Sequence, residues 1–335
     1  MSDRPLKRFV KGAAGYLVAA AALVWVFKDA EWARVGKGMA ALDWRWVAAG
    51  VVFDVLSYAS QGFRWSLLLR PLGRVGAVRA TQAVYAGLFI NEVLPMRIGE
   101  IARGYLMSRW VSRPFVAVLP SMAMERLFEG LWLAAGIGAT AILVPLPRSL
   151  VRAGDIFGLV VLGLTGVVLF LMLRKKKERP TDEAGRPRGW RLLRRLEAVL
   201  GGLEGGLRSI GLTRYSIAAF CVSLLLFVFQ AFSFWFIMKA YGLHLSIWIG
   251  AAVFLIVHFG TALPNAPANI GTYQLFCVLG LTLFGVDKTT AAGFSIVVFV
   301  LLTIPLWVLG FIALGQSGMT LASVKDKVRE LRRRT

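Results

Sequence analysis

NEVLPMRIGEIAR, residues 91–103, breaks an apolar run at the point where a membrane helix should continue. The run before it, residues 81–90, stops well short of the roughly 20 residues needed to cross a hydrocarbon core of about 30 Å. Pro95 then removes a backbone donor, and Arg97, Glu100 and Arg103 follow within eight positions. Backbone broken in this way is tolerated at membrane depth only where protein buries it or where it lines a wet cavity. The alternative is an interfacial turn whose arginines touch lipid phosphates without specificity. What surrounds the stretch decides between them.

The chain has 335 residues, 57% of them hydrophobic, and a mean hydropathy of +0.67. That composition points to a polytopic membrane protein, and the long uncharged runs point to helices rather than an alternating-strand barrel. Six stretches are long enough to cross: 10–27, 46–69, 115–143, 154–173, 214–238 and 289–314. The first has no convincing cleavage site and reads as a retained span. Two more apolar stretches, 80–94 and 246–285, are each interrupted by a Pro-containing polar motif. The net charge of +21 lies between the spans. The positive-inside rule and anionic lipid account for it without nucleic acid.

Charge also sets the topology. With the N-terminus inside, a full crossing by 80–94 would put Arg103, Arg109 and Arg113 outside; a dip and return keeps them inside. The same bookkeeping delivers the basic loop 174–213 and the basic tail 321–335 to the inside, while 246–285 dips from outside. The expected fold is therefore all-α: a helical bundle of about six full spans plus two oppositely oriented re-entrant hairpins, an inverted repeat. In such repeats broken helices meet near the midplane and form the substrate site. Leu94-Pro95 followed by Ile98-Gly99, and Leu263-Pro264 followed by Ile270-Gly271, share a loose pattern. One domain, 1–320, carries all of this. Within the loop, Trp190, Leu193, Leu196 and Leu200 share one helical face, which suits a helix on the membrane surface or a short soluble one.

Three charge-bearing groups stand out. Glu125, Arg126 and Glu129 lie inside the third span, Glu125 about 16 Å along it at 1.5 Å per residue. They share an arc of about 100°, so all three can face the bundle interior. Either they form a structural ion pair or they line a polar path for a head group or a proton. Asn91 and Glu92 precede Pro95; Gly99 lies between Arg97 and Glu100, and the planar guanidinium forks match phosphate oxygens. The second motif, HFGTALPNAPANIGTYQ at residues 258–274, offers Pro264, Asn265, Pro267 and Asn269. Gly271, Tyr273 and Gln274 follow at a helix restart, whose uncharged amides suit an anion or a sugar. An extracytoplasmic Pro-rich loop is the plain alternative. Asp54, Tyr58 and Gln61 form a stripe suited to interhelical hydrogen bonds, and Gln230 and His258 read the same way. Cys221 and Cys277 fall in apolar segments, and no nucleotide, hydrolase or metal signature is present, so no cofactor, metal or enzyme activity is expected.

QGFRWSLLLRPLG, NEVLPMRIGEIARGYLMSR, MERLFE and LPNAPANIGTYQLFCVLGLTLFGVDKTTAAGFSIVV occur in that order. Together they resemble the lysylphosphatidylglycerol synthase transmembrane-region family, a flippase-like domain, from about residue 10 to 316. The resemblance implies a stand-alone member without the aminoacyltransferase domain, lying in the bacterial cytoplasmic membrane with both termini cytoplasmic. It implies lipid translocation between leaflets; hopanoid, polyprenyl-phosphate or aminoacyl-phospholipid metabolism is the alternative setting, as accessory subunit or membrane enzyme. A scaffold working through loop 174–213 is a third. The implied partners are a membrane lipid with an anionic or polar head group and the bilayer, with a second copy of the chain or a lipid-biosynthesis protein also open. Pro95, Arg97, Gly99, Glu100 and Arg103, then Glu125 and Arg126, then Pro264, Pro267, Gly271 and Tyr273 match the family's blocks. Many members carry Glu where this chain has Gln274, and APANIGTYQ is similar to variants associated with hopanoid gene clusters.

Overall fold

The computed structural model describes residues 4–94, 97–174, 191–262 and 266–318, with backbone alone for 4–15 and 191–200. Pro95, Pro264, Asn265, Trp190, loop residues 175–190 and the tail 321–335 lie outside the described residues, as do the side chains of Leu193, Leu196 and Leu200. All regular structure in the described residues is helical. The order is α1 (Arg4–Phe27), α2 (Trp32–Ala40), α3 (Trp44–Leu68), α4 (Ala77–Val93), α5 (Ile98–Trp110) and α6 (Phe115–Leu143). It continues with α7 (Arg148–Leu173), α8 (Arg191–Ile210), α9 (Arg214–Ala240), α10 (Ile247–Thr261), a 3₁₀ turn at Pro267–Asn269, α11 (Thr272–Leu283) and α12 (Lys288–Gln316). Local chemistry sets several starts. The Asp43 carboxylate accepts from Arg45 N–H, Thr213 Oγ1 from Ser216 N–H, Ser246 Oγ from Ile249 N–H and Asp287 Oδ1 from Thr290 N–H, each occupying an orphan donor of a first turn.

Four helices, α6, α7, α9 and α12, are long and apolar enough to cross a membrane. The 25-residue α3 is as long but carries Asp54 and Arg64, and the described apolar part of α1 is Tyr16–Phe27. The six crossings expected from the sequence thus all correspond to helices, and four of them stand on length and composition alone.

Ten of the twelve helices in the described residues fall into two sets of similar length, α2 and α8 being unequal at 9 and 20 residues. α1 and α7 have 24 and 26 residues, α3 and α9 have 25 and 27, α4 and α10 have 17 and 15, α5 and α11 have 13 and 12, and α6 and α12 both have 29. Packing repeats as well. α4 lies on α3 as α10 lies on α9; α4 lies on α12 as α10 lies on α6; α2 lies on α12 as α8 lies on α6. At the centre α3 packs on α9, and the contacts run antiparallel: Gly50 meets Ser233 and Ile237, whereas Arg64 meets Ser223. One displacement along the chain carries Trp46 onto Tyr215 and Arg70 onto Lys239. The structure honours it: Lys239 Nζ sits 4.7 Å over the Trp46 ring at one end of the pair, and the Arg70 guanidinium 5.3 Å over the Tyr215 ring at the other. The sets depart from symmetry at their first helices, since α1 packs on α11 while α7 packs on α6.

Both interrupted stretches are antiparallel helix pairs. Gly87 of α4 meets Gly99 and Arg103 of α5. In the second pair, Gly260 of α10 meets Phe276 and Val253 meets Gly280 of α11. Small residues let the backbones approach, the device that drives helix association where hydrophobic burial gives no gradient. A Cβ on Gly99 would collide with the Gly87 carbonyl oxygen, which is backbone and cannot yield. Gly99→Ala should therefore lower unfolding stability in detergent by at least the ~1–3 kcal/mol of an overpacked core. Gly205→Ala, inside α8 with nothing within 4 Å, should not lower it and should gain up to about 1 kcal/mol from alanine's higher helix propensity.

Candidate functional site

The tips of the two hairpins meet. Arg97, first in line after the break, has a left-handed backbone with φ 52°, a strained conformation for a residue with a Cβ. Its Nη2 donates to the Thr261 carbonyl at the end of α10, 2.8 Å away. Each tip is closed by an amide: Gly99 N–H donates to Asn91 Oδ1 and Gly271 N–H to Gln274 Oε1, both at 2.7 Å. Gln274 is thus a buried cap of α11. Gly271 has φ 86° and lies so close to the Ala19 carbonyl of α1 that no Cβ fits. Ala268 and Asn269 also have positive φ, 57° and 55°, so irregular backbone concentrates at both tips.

A cavity of about 470 Å³ opens between the tips, within the size range of small-molecule sites. Of the residues singled out from the sequence, Asn91, Glu92, Arg97, Glu100, Arg126, Glu129, Pro267, Asn269 and Tyr273 line it. Arg103 and Glu125 stand behind its wall, and Gly99, Gly271 and Gln274 shape the tips.

The charged residues form one chain of contacts in two layers. In the inner layer the Glu125 carboxylate, wholly buried, lies 2.9 Å from Arg64 Nη2 and 3.1 Å from Arg103 Nη2. Arg64 is also wholly buried and reaches Glu129 Oε1 at 2.6 Å; Arg103 lies over the Trp65 ring at 4.8 Å. In the outer layer Arg126 spans Glu129 Oε2 and Glu100 Oε1, both at 2.6 Å, and Arg97 Nη1 lies 3.9 Å from Glu100. The side chains of Arg126 and Arg97 remain 47% and 39% exposed, and both line the cavity. Four arginines against three glutamates leave the network one positive charge in excess. The carboxylates hold each guanidinium in a set orientation, which spares a bound anion the cost of ordering it. Accessible guanidinium forks held in this way suit phosphate or carboxylate oxygens.

Sequence reading missed Arg64, which the inner layer depends on, although it stands within the quoted QGFRWSLLLRPLG block. It also read Asp54, Tyr58, Gln61, Gln230 and His258 as interhelical bonding groups, whereas all five line the cavity. The repeat register would have found several of them. The displacement that relates Trp46 to Tyr215 carries Tyr58 onto Phe227, Gln61 onto Gln230, Leu88 onto Val257 and Glu92 onto Thr261, and every one of these lines the cavity. A slightly longer displacement carries Arg126, Glu129, Gly130 and Leu133 of α6 onto Phe299, Leu302, Thr303 and Leu306 of α12, again all lining residues. The scaffold is two-fold; the chemistry is not. The α6 wall is charged and the α12 wall is apolar.

Residues 12–310 match the family described as the lysylphosphatidylglycerol synthase TM region. The chain belongs to that family. It is thereby a multi-pass membrane protein, and no aminoacyltransferase domain is found in it. Among curated relatives, the UPF0104 membrane protein MJ1078 of Methanocaldococcus jannaschii is 22% identical over 207 residues, 61% of this chain and 83% of that protein. Glycosyltransferase AglD of Haloferax volcanii is 30% identical over 144 residues, which is 42% of this chain but only 23% of AglD. No solved structure matches.

The two layers should respond differently to mutation. Glu125→Ala strips the shared partner from two buried guanidinium groups and should cost about 3–5 kcal/mol. Arg126→Ala removes a half-exposed group and should cost no more than about 1 kcal/mol. Denaturant unfolding of the two variants in detergent tests the difference.

Proposed function

We propose that this family member binds the anionic head group of a membrane lipid in the cavity between the hairpin tips and carries it between leaflets, without chemical change to the lipid. In this reading α4–α5 and α10–α11 are re-entrant hairpins that come in from opposite faces of the membrane and meet at mid-depth. The observation that carries it is the junction of the tips: Arg97 of one hairpin holds the Thr261 carbonyl of the other, and Arg97 and Arg126 open into the one cavity beside it. The antiparallel course of α3 and α9 supports opposed hairpins, because two units that run opposite ways along one bundle present their tips to each other.

The one-sided chemistry supports an amphipathic ligand. The head group lies against Arg97 and Arg126, and the start of its chain lies against Phe299, Leu302 and Leu306 on the α12 wall. Charge supports the orientation. Arg70 and Arg214 gather around Tyr215 at the α3–α9 end that becomes cytoplasmic, while Asp29–Lys288 and Arg34–Asp287 pairs mark the opposite end. Both termini are then cytoplasmic, in a cytoplasmic membrane. The reading requires only the bilayer and its lipid as partners.

Transfer of a fluorophore-labelled phosphatidylglycerol across reconstituted vesicles should fall at least about tenfold in Arg97→Ala and in Arg126→Ala, which is about 1.4 kcal/mol of barrier. Protein yield should be unchanged. Wild-type rates in both variants would refute the cavity reading. Topology has its own check: single cysteines at positions 74 and 113 should label from one face of the cell membrane, and one at position 31 from the other.

A further inference from the structure

The cavity wall also carries a carboxylate that no cation pairs with among the described residues. Asp54 is only 4% exposed and lines the cavity, and its Oδ2 has no hydrogen-bond partner. Among the described residues no ion pair reaches it. Every other carboxylate in the buried charge network is paired with arginine. The groups around Asp54 are polar and neutral. Tyr58, on its own helix, stacks obliquely on Tyr85 of α4 with ring centroids 5.5 Å apart; the Tyr85 hydroxyl and Gln230 Oε1 of α9 are likewise buried and unpartnered. Tyr273 of α11 lies within electrostatic reach. α12 contributes apolar side chains and Thr303 to the same cavity.

An ionised carboxylate left unpaired in such a place costs several kcal/mol, and the side chain escapes that cost by taking a proton. We infer that Asp54 is a proton-loading site, which carries a proton in the arrangement seen here and exchanges it with water as the cavity changes the face to which it opens. A proton from water on one face forms the O–H bond at Oδ2; when the cavity opens to the other face that bond breaks and the proton passes to water there. Coupling this exchange to lipid transit rests on the proposed function above; the proton site itself does not. The other titratable groups of the cavity are placed differently. Glu92 accepts from Trp307 Nε1 at 3.4 Å, Glu100 and Glu129 are held by Arg126, and His258 packs edge-on against Phe227.

Two measurements separate the claims. Infrared difference spectra of the purified protein at neutral pH should contain the carbonyl stretch of a protonated carboxylic acid. Asp54→Asn should abolish that band, and Glu92→Gln and His258→Gln should keep it. Asparagine is isosteric with the protonated acid, so the variant should also keep wild-type thermal stability. Absence of the band in the wild-type protein, or its persistence in Asp54→Asn, would overturn the assignment. In vesicles, an imposed pH gradient should change the labelled-phosphatidylglycerol rate at least about threefold for the wild type and not for Asp54→Asn. A wild-type rate that follows a sodium gradient and ignores the pH gradient would overturn the coupling of proton exchange to lipid transit. A wild type that moves no lipid yet retains the band would sink the lipid reading and leave the proton site standing.

Discussion

The buried core of the charge network turns on the Glu125 carboxylate. It is shared by Arg64 of α3 and Arg103 of α5 and is carried by α6, so one buried group joins three helices. In hydrocarbon an unpaired guanidinium has no solvent to fall back on, and the only low-energy arrangement of these helices is the one that pairs it. The orientation of the outer layer follows. Arg64 also holds Glu129, Glu129 holds Arg126, and Arg126 holds Glu100. The accessible guanidinium groups are therefore aimed by a chain of contacts anchored where no water reaches.

A second constraint acts on the backbone. The hairpin tips contain residues with left-handed conformations and glycines that admit no side chain, and each tip is closed by a side-chain amide accepting from a glycine N–H. These bonds satisfy donors that a broken helix leaves orphaned. The Arg97 guanidinium donates to the Thr261 carbonyl and so satisfies an acceptor that the end of α10 leaves orphaned. The irregular backbone of the two tips, which would be costly facing lipid, is thereby satisfied beside one cavity.

The duplicated framework and its unequal furnishing belong together. Two antiparallel copies place many corresponding positions around one cavity, so several residues that line it in one copy have a lining counterpart in the other. Arg126 and Glu129 on one side answer to Phe299 and Leu302 on the other. Gln61 and Gln230 kept their identity, and Asp54 stands without either a counterpart carboxylate or a cation. A symmetric cavity would treat both ends of a ligand alike; under the proposed function this one would tell a charged end from an apolar end.

The sequence by itself determined the helical class, the six long helices and the two broken ones, because length, hydropathy and Pro-centred breaks are local properties. It determined that Arg97, Glu100, Arg126 and Glu129 are out of place for lipid-facing residues, since charge in an apolar run is visible without a partner. Tertiary structure decided which charges face the cavity and which support it from behind: Arg103 and Arg97 sit six positions apart in one motif, yet one is buried under Trp65 and the other is open. It also decided that Arg64, far away in the chain, completes the network, and that Asp54 lacks a partner where Glu125 has two. Pairing and solvent access are relations between helices, and no single stretch of chain carries them.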